Sequence, residues 1–121
     1  MKNKWITIGG IFGFLGVAIG AFGAHSLKPL LNPDTIETYK TGVQYHLIHA
    51  VVILAIGFYN NEKFSLAAWF FTIGIILFSF SLYLYSLTNI QAFAIITPFG
   101  GICFLAGWAL VIVNSFRLKK D

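Results

Sequence analysis

Three histidines are the residues of this sequence best equipped for chemistry, and two of them stand in an unexpected place. His46 and His49 fall in the uncharged stretch "VQYHLIHAVVILAIGFY", Val43 to Tyr59, and His25 follows the glycine-rich segment "GAFGA". An imidazole in an apolar setting gives up water's hydrogen bonds, so each must find partners or perform a function. Three residues apart, His46 and His49 are neighbours on one face if the stretch is helical. Tyr45 adjoins them, Ser26 adjoins His25, and "TPFGG" adds Thr97 near a proline and two glycines. His25, Ser26, Tyr45, His46, His49 and Thr97 form the candidate polar cluster.

Several chemistries fit these types. Neutral imidazoles could hydrogen-bond backbone oxygens or Tyr45 and lock helices together, because buried polar groups are almost always satisfied. Imidazoles at i and i+3, with His25 as a third donor, could bind zinc, but a fourth ligand beyond Asp34 or Glu37 is not evident. They could also begin a transport or proton pathway, although the apolar stretches hold no Asp, Glu, Lys or Arg to continue one. Catalysis has the least support. No serine or cysteine carries a nucleophile motif, and Cys103 is isolated among apolar residues, where thiols are inert. One cysteine gives no internal disulfide and no CxxC zinc spacing.

The elements that must position these groups are membrane spans. The chain has 121 residues, 58% of them hydrophobic and 10% charged, far from the soluble balance. Four apolar runs stand out: 5–24, 43–59, 64–87 and 92–113. Roughly 20 helical residues cross a hydrocarbon core of ~30 Å, so three runs suffice and the second is at the short end. The reading is an all-α, integral-membrane four-helix bundle forming a single domain over 1–121. The first run has a basic start resembling a signal peptide, yet it exceeds the usual h-region of ~7–15 residues, so a retained helix is expected.

Four crossings put both termini on one side with the "NNEK" turn. That side carries Lys2, Lys4, Lys63, Arg117, Lys119 and Lys120 against Lys28 and Lys40 on the other, which predicts cytoplasmic termini. The 25–42 connection then lies outside. Within it "NPDTIETYK" reads as a helix start, with Pro33 early and Asp34 as a cap, and a short interfacial helix is one reading of it. In this frame all three histidines gather in the outer leaflet, with "TPFGG" at a depth of roughly 8–14 Å. Pro98 leaves the Ala94 carbonyl without its ladder donor, and an imidazole N–H could serve it.

Gly9, Gly13, Gly16, Gly20 and Gly23 recur at spacings of four and three, making one stripe along the first helix for close packing inside the bundle. Gly100 and Gly101 are expected to serve the same purpose in the fourth. The phenylalanines of 64–80 are expected to face lipid or fill gaps, and Trp5, Trp69 and Trp108 to act as interface anchors or packing residues. The net charge of +4 sits at chain ends and loop edges rather than in a stripe with interleaved aromatics, which excludes nucleic acid as a partner.

"GAFGAHSL", "YKTGVQYHLIHA" and "TPFGGICFLAGW", in this order and separated by apolar runs, resemble the small bacterial membrane proteins of the YgdD/YwdK type, the DUF423 family, related to the eukaryotic transmembrane protein 256. The resemblance covers nearly the whole chain. Its recurring residues fall on Gly20, Gly23, Ala24 and His25, on Tyr45, His46 and His49, and on Pro98, Gly100, Gly101, Gly107 and Trp108. It implies a four-helix inner-membrane protein and supplies no catalytic assignment. The functional expectation is a non-enzymatic, multi-pass protein of the cell membrane, needing no cofactor, that supports envelope integrity through lipid, self-association or a membrane-protein partner. The alternative is a small transporter or metal-binding protein using His25, His46 and His49.

Overall fold

The structure, a computed structural model, describes residues 3–118 and is helical throughout its four spans. Lys2, Lys119 and Lys120, three of the six basic residues behind the expected orientation, lie outside the described residues. The first span joins α1 (Lys4–Phe22) to a π turn, Gly23–Leu27. The second is one helix, α2 (Pro33–Tyr59). The third joins α3 (Ser65–Gly74), a π segment (Ile75–Phe80) and α4 (Ser81–Thr88). The fourth is α5 (Gln91–Ser115), with Pro98 inside it. Each is long and apolar enough to cross a bilayer.

Connections are short because the local chemistry stops and starts each helix sharply. Asn60 and Asn89 adopt the left-handed conformation that ends α2 and α4, at φ 58° in both, a geometry asparagine tolerates better than most residues. The Asn3 side chain accepts from the Trp5 N–H to open α1, and Asn32 accepts from the Thr35 N–H to open α2, with Pro33 at the first helical position. Asn32, rather than Asp34, is therefore the cap. No separate interfacial helix exists: 33–42 is the beginning of the second span. The sequence-based boundary at Val43 followed the loss of hydropathy at Asp34, Glu37 and Lys40. The backbone instead follows the cap.

Spans two and three are the inner pair, with the first span lying on the second and the fourth on the third. Trp5, Phe12, Ala50, Ile53, Ala67, Ala68, Phe71, Ile75 and Phe104 make the main core. The first hairpin is drawn together by glycine. A Cβ on Gly9 would meet Leu54, one on Gly16 would meet Leu47 and His46, one on Gly20 would meet Val43, and one on Gly23 would meet Tyr39. One number falls as the other rises, as antiparallel helices require.

Gly13 departs from the expected stripe, since a Cβ there would meet nothing within 4 Å. At about 100° per residue it sits some 40° to one side of Gly9, while Gly23 is displaced as far the other way. The close contacts run through Gly9, Gly16, Gly20 and Gly23, and Gly13 lies outside them. In α5 Gly100 meets the backbone of Leu77 and Phe78, whereas Gly101 is only in ordinary contact with the Phe78 ring at 3.9 Å. Glycines the stripe did not include also seat neighbours: Gly42 against Tyr83, Gly57 against Ile6, Gly74 against Phe104 and Gly107 against Phe71. Of the phenylalanines, Phe64 and Phe71 are buried core rather than lipid-facing.

Candidate functional site: two imidazoles inside the bundle

Because α2 begins at Pro33, His46 stands thirteen residues from each of its ends. That is about 20 Å from either terminus, the middle of the helix rather than near one end of it. Its side chain is 0% exposed and that of His49 is 4% exposed. His25 is exposed in the π turn at the end of the first span. The α1 residue facing His46 is Gly16, and His25 lies nine residues beyond it, about 13 Å along the axis. The three histidines are thus not brought together. Among the described residues no group of three His, Cys, Asp or Glu is close enough to hold a metal ion.

Each buried ring is instead occupied on both nitrogens. His46 Nε2 lies 2.8 Å from the Phe12 carbonyl oxygen of α1, and His46 Nδ1 lies 2.8 Å from the Tyr83 hydroxyl of α4. A carbonyl only accepts, so Nε2 carries the proton and Tyr83 donates to Nδ1. His49 is protonated on the other nitrogen. Its Nδ1–H donates to the Tyr45 carbonyl at 2.7 Å, and its Nε2 accepts from the Trp108 indole N–H of α5 at 3.1 Å. Both rings are neutral tautomers with one donor and one acceptor used, which is the arrangement a bilayer interior demands. The carbonyl that Pro98 frees is not their partner.

Aromatic packing fixes the rings. His49 stacks on Phe104 with centroids 3.8 Å apart and an 8° interplanar angle, and Phe71 lies on it at 5.4 Å. Phe12 and Phe80 meet His46 edge-on at 5.7 and 5.5 Å. His46 therefore bolts the first and third spans to the second, while His49 bolts the fourth. Tyr39 adds another cross-link, donating its hydroxyl to the Ile19 carbonyl at 2.6 Å.

The other candidates go elsewhere. Thr97 shares a 2.6 Å hydroxyl hydrogen bond with Ser81, joining α5 to α4 apart from the imidazoles. Tyr45 uses its carbonyl for His49 while its ring packs on Phe78 at 4.7 Å. Ser26 is exposed beside His25. Sequence reasoning missed Tyr83 as a partner and left Trp108 as an anchor or packing residue. The available signal was that a Tyr hydroxyl or Trp N–H deep in an apolar run needs a hydrogen-bond partner.

Among the described residues, one buried side-chain polar atom is left over. Ser79 is 0% exposed and its Oγ lacks a partner, whereas Thr72, Ser86 and Thr88 each donate to the carbonyl four residues back. Ser79 lies in the π segment, whose carbonyls turn toward residue i+5. The usual acceptor is therefore misdirected.

Comparison with known proteins places this four-span architecture. The sequence profile of a protein family of unknown function, DUF423, matches residues 19–101, a segment that holds both imidazoles and Pro98. The chain belongs to the DUF423 family. Among full-length relatives, the inner membrane protein YgdD of Escherichia coli K12 is 37% identical over 127 aligned residues, covering 99% of this chain and 95% of its own. The membrane protein YwdK of Bacillus subtilis is 37% identical over 118, covering 93% and 96%, and a membrane protein of Haemophilus influenzae is 38% identical over 125, covering 99% of each. No solved structure matches. This DUF423 chain is accordingly a multi-pass protein of the cell membrane.

Proposed function

We propose that this DUF423 chain is a non-enzymatic membrane component that supports the bilayer by holding lipid against its first hairpin. The observation that carries the reading is an open recess of about 330 Å³ between the first two spans, floored by Gly20, Gly23 and Ala24 and walled by Ile36, Tyr39 and Val43. The exposed lining is mostly apolar, and Lys28, Lys40 and Gln44 complete it. Such a cleft suits an acyl chain. The inner polar groups support the same reading, because the two imidazoles, Tyr39, Tyr83 and Trp108 are all spent on joining helices. A transporter or metal-binding role for His25, His46 and His49 would need them to converge, and they are apart.

Native mass spectrometry of the purified protein tests this. Wild type should retain lipid, and Ala24→Phe, which fills the recess from an exposed position without entering the glycine seam, should lose it. Cells lacking the protein should admit more impermeant dye, with rescue by wild type but not by Ala24→Phe. Lipid-free wild type, or full rescue by the variant, overturns the reading.

The orientation proposed with it puts both termini in the cytoplasm. Leu30 in the turn after the first span is 76% exposed and Phe116 after the fourth is 84% exposed. An impermeant thiol reagent applied to whole cells should label Leu30→Cys and spare Phe116→Cys. The opposite pattern inverts the protein.

A further inference from the structure

The far end of the same hairpin carries a second recess, of about 260 Å³, whose lining is of another kind. Lys4 and Glu62 both border it. The Lys4 ammonium stands 5.2 and 5.1 Å from the ring centroids of Trp5 and Trp69, a cation held beside two indoles. Indoles at the end of a span mark the headgroup layer. Among the described residues the ion pair is Lys40–Glu37, so Lys4 and Glu62 share one recess without bonding each other.

Asn60 and Asn61 supply donors. The Asn60 Oδ1 accepts from Asn3 Nδ2 at 3.2 Å, and the Asn61 Oδ1 accepts from the Lys63 backbone N–H at 3.0 Å. Both asparagines line the recess, and each keeps amide N–H groups that these bonds do not use. Trp5 and Ile56 give it an apolar wall.

We propose that this recess binds the headgroup of a phosphatidylethanolamine-type lipid, the phosphodiester on Lys4 and the asparagine amides and the primary ammonium on Glu62. The charges select it. A phosphate and an ammonium joined by two carbons satisfy a lysine and a glutamate that do not satisfy each other. A choline headgroup has no N–H for the carboxylate, and a glycerol headgroup leaves Glu62 facing a net negative lipid. The indoles of Trp5 and Trp69 beside Lys4 set the recess in the headgroup layer, which favours a lipid over a free solute. This site goes beyond the acyl-chain recess of the proposed function and does not depend on it.

The test uses the full chain in nanodiscs of equal phosphatidylethanolamine, phosphatidylcholine and phosphatidylglycerol, with retained lipid measured by native mass spectrometry after detergent release. Wild type should favour ethanolamine over each competitor by about fivefold, the size expected of one partly exposed charge contact. Glu62→Gln should remove the preference over glycerol, Glu62→Lys should reverse it, and Lys4→Gln should weaken retention of all three. A reversed preference cannot arise from misfolding. Ala24→Phe should leave the ethanolamine preference intact, which separates failure here from failure of the acyl-chain recess. Equal retention by wild type, a preference surviving Glu62→Gln, or soluble phosphoethanolamine binding as tightly as lipid would each overturn the proposal.

Discussion

Gly100→Ala should be among the most damaging single-methyl changes available in this protein. A Cβ at Gly100 would lie 2.7 Å from both the Leu77 carbonyl carbon and the Phe78 Cα, and nearer still to the Phe78 nitrogen. These are backbone atoms, which cannot rotate aside as a leucine tip can. Overpacking costs about 1–3 kcal/mol, and a clash with a backbone belongs at the upper end. Alanine returns roughly 1 kcal/mol of helix propensity, so a net loss of about 2 kcal/mol is expected. Gly101→Ala next door gains the same propensity against only an ordinary contact at 3.9 Å, and should be neutral or mildly stabilising. Thermal unfolding of both variants in one detergent measures the contrast. Equal midpoints would mean that α5 does not rest on the π segment of the third span.

The second large effect is expected from His46. Replacing it with alanine empties a site that is 0% exposed, strips the Tyr83 hydroxyl of its acceptor and releases the bond to Phe12 in α1. Interhelical hydrogen bonds within membranes average only about 0.6 kcal/mol each, so the two bonds alone contribute little more than 1 kcal/mol. The cavity adds about 2 kcal/mol, for a total near 3 kcal/mol. His46→Phe keeps most of the volume and should cost about 1 kcal/mol. A double-mutant cycle with Tyr83→Phe isolates the bond, with a coupling of about 0.6 kcal/mol expected. Zero coupling would dismiss the bond, and a stable His46→Ala would dismiss the ring as a bolt.

The second-span boundary is where sequence and structure part, and the reason is physical. Hydropathy finds where a helix meets lipid. Capping finds where the helix begins, and in α2 these are ten residues apart, from Pro33 to Val43. Asn32 and Pro33 carried the right signal, but the charges at Asp34, Glu37 and Lys40 made the segment read as a separate piece. That displacement set His46 and His49 near one end of their helix, whereas His46 stands at its middle, and it drew His25 toward them. Four spans, the adjacency of His46 and His49 and the seam at Gly9, Gly16, Gly20 and Gly23 were legible, because periodicity does not depend on where a helix begins. Tyr83 and Trp108 were not legible as partners. Which helix faces which is a tertiary fact that one helix's pattern does not contain.

The two tautomers also bear on the order of synthesis. When α2 enters the membrane, the later spans that carry Tyr83 and Trp108 have not yet followed it. The N–H of each imidazole nonetheless has its acceptor, since Phe12 belongs to the span already translated and Tyr45 to the same helix. What waits is the lone pair on the opposite nitrogen, and the later spans bring the Tyr83 O–H and the Trp108 N–H to fill it. An imidazole protonated on the wrong nitrogen would have to exchange its proton within the membrane before the second hairpin could dock. The nascent first hairpin therefore selects, before the chain is complete, the proton positions on which the finished bundle closes.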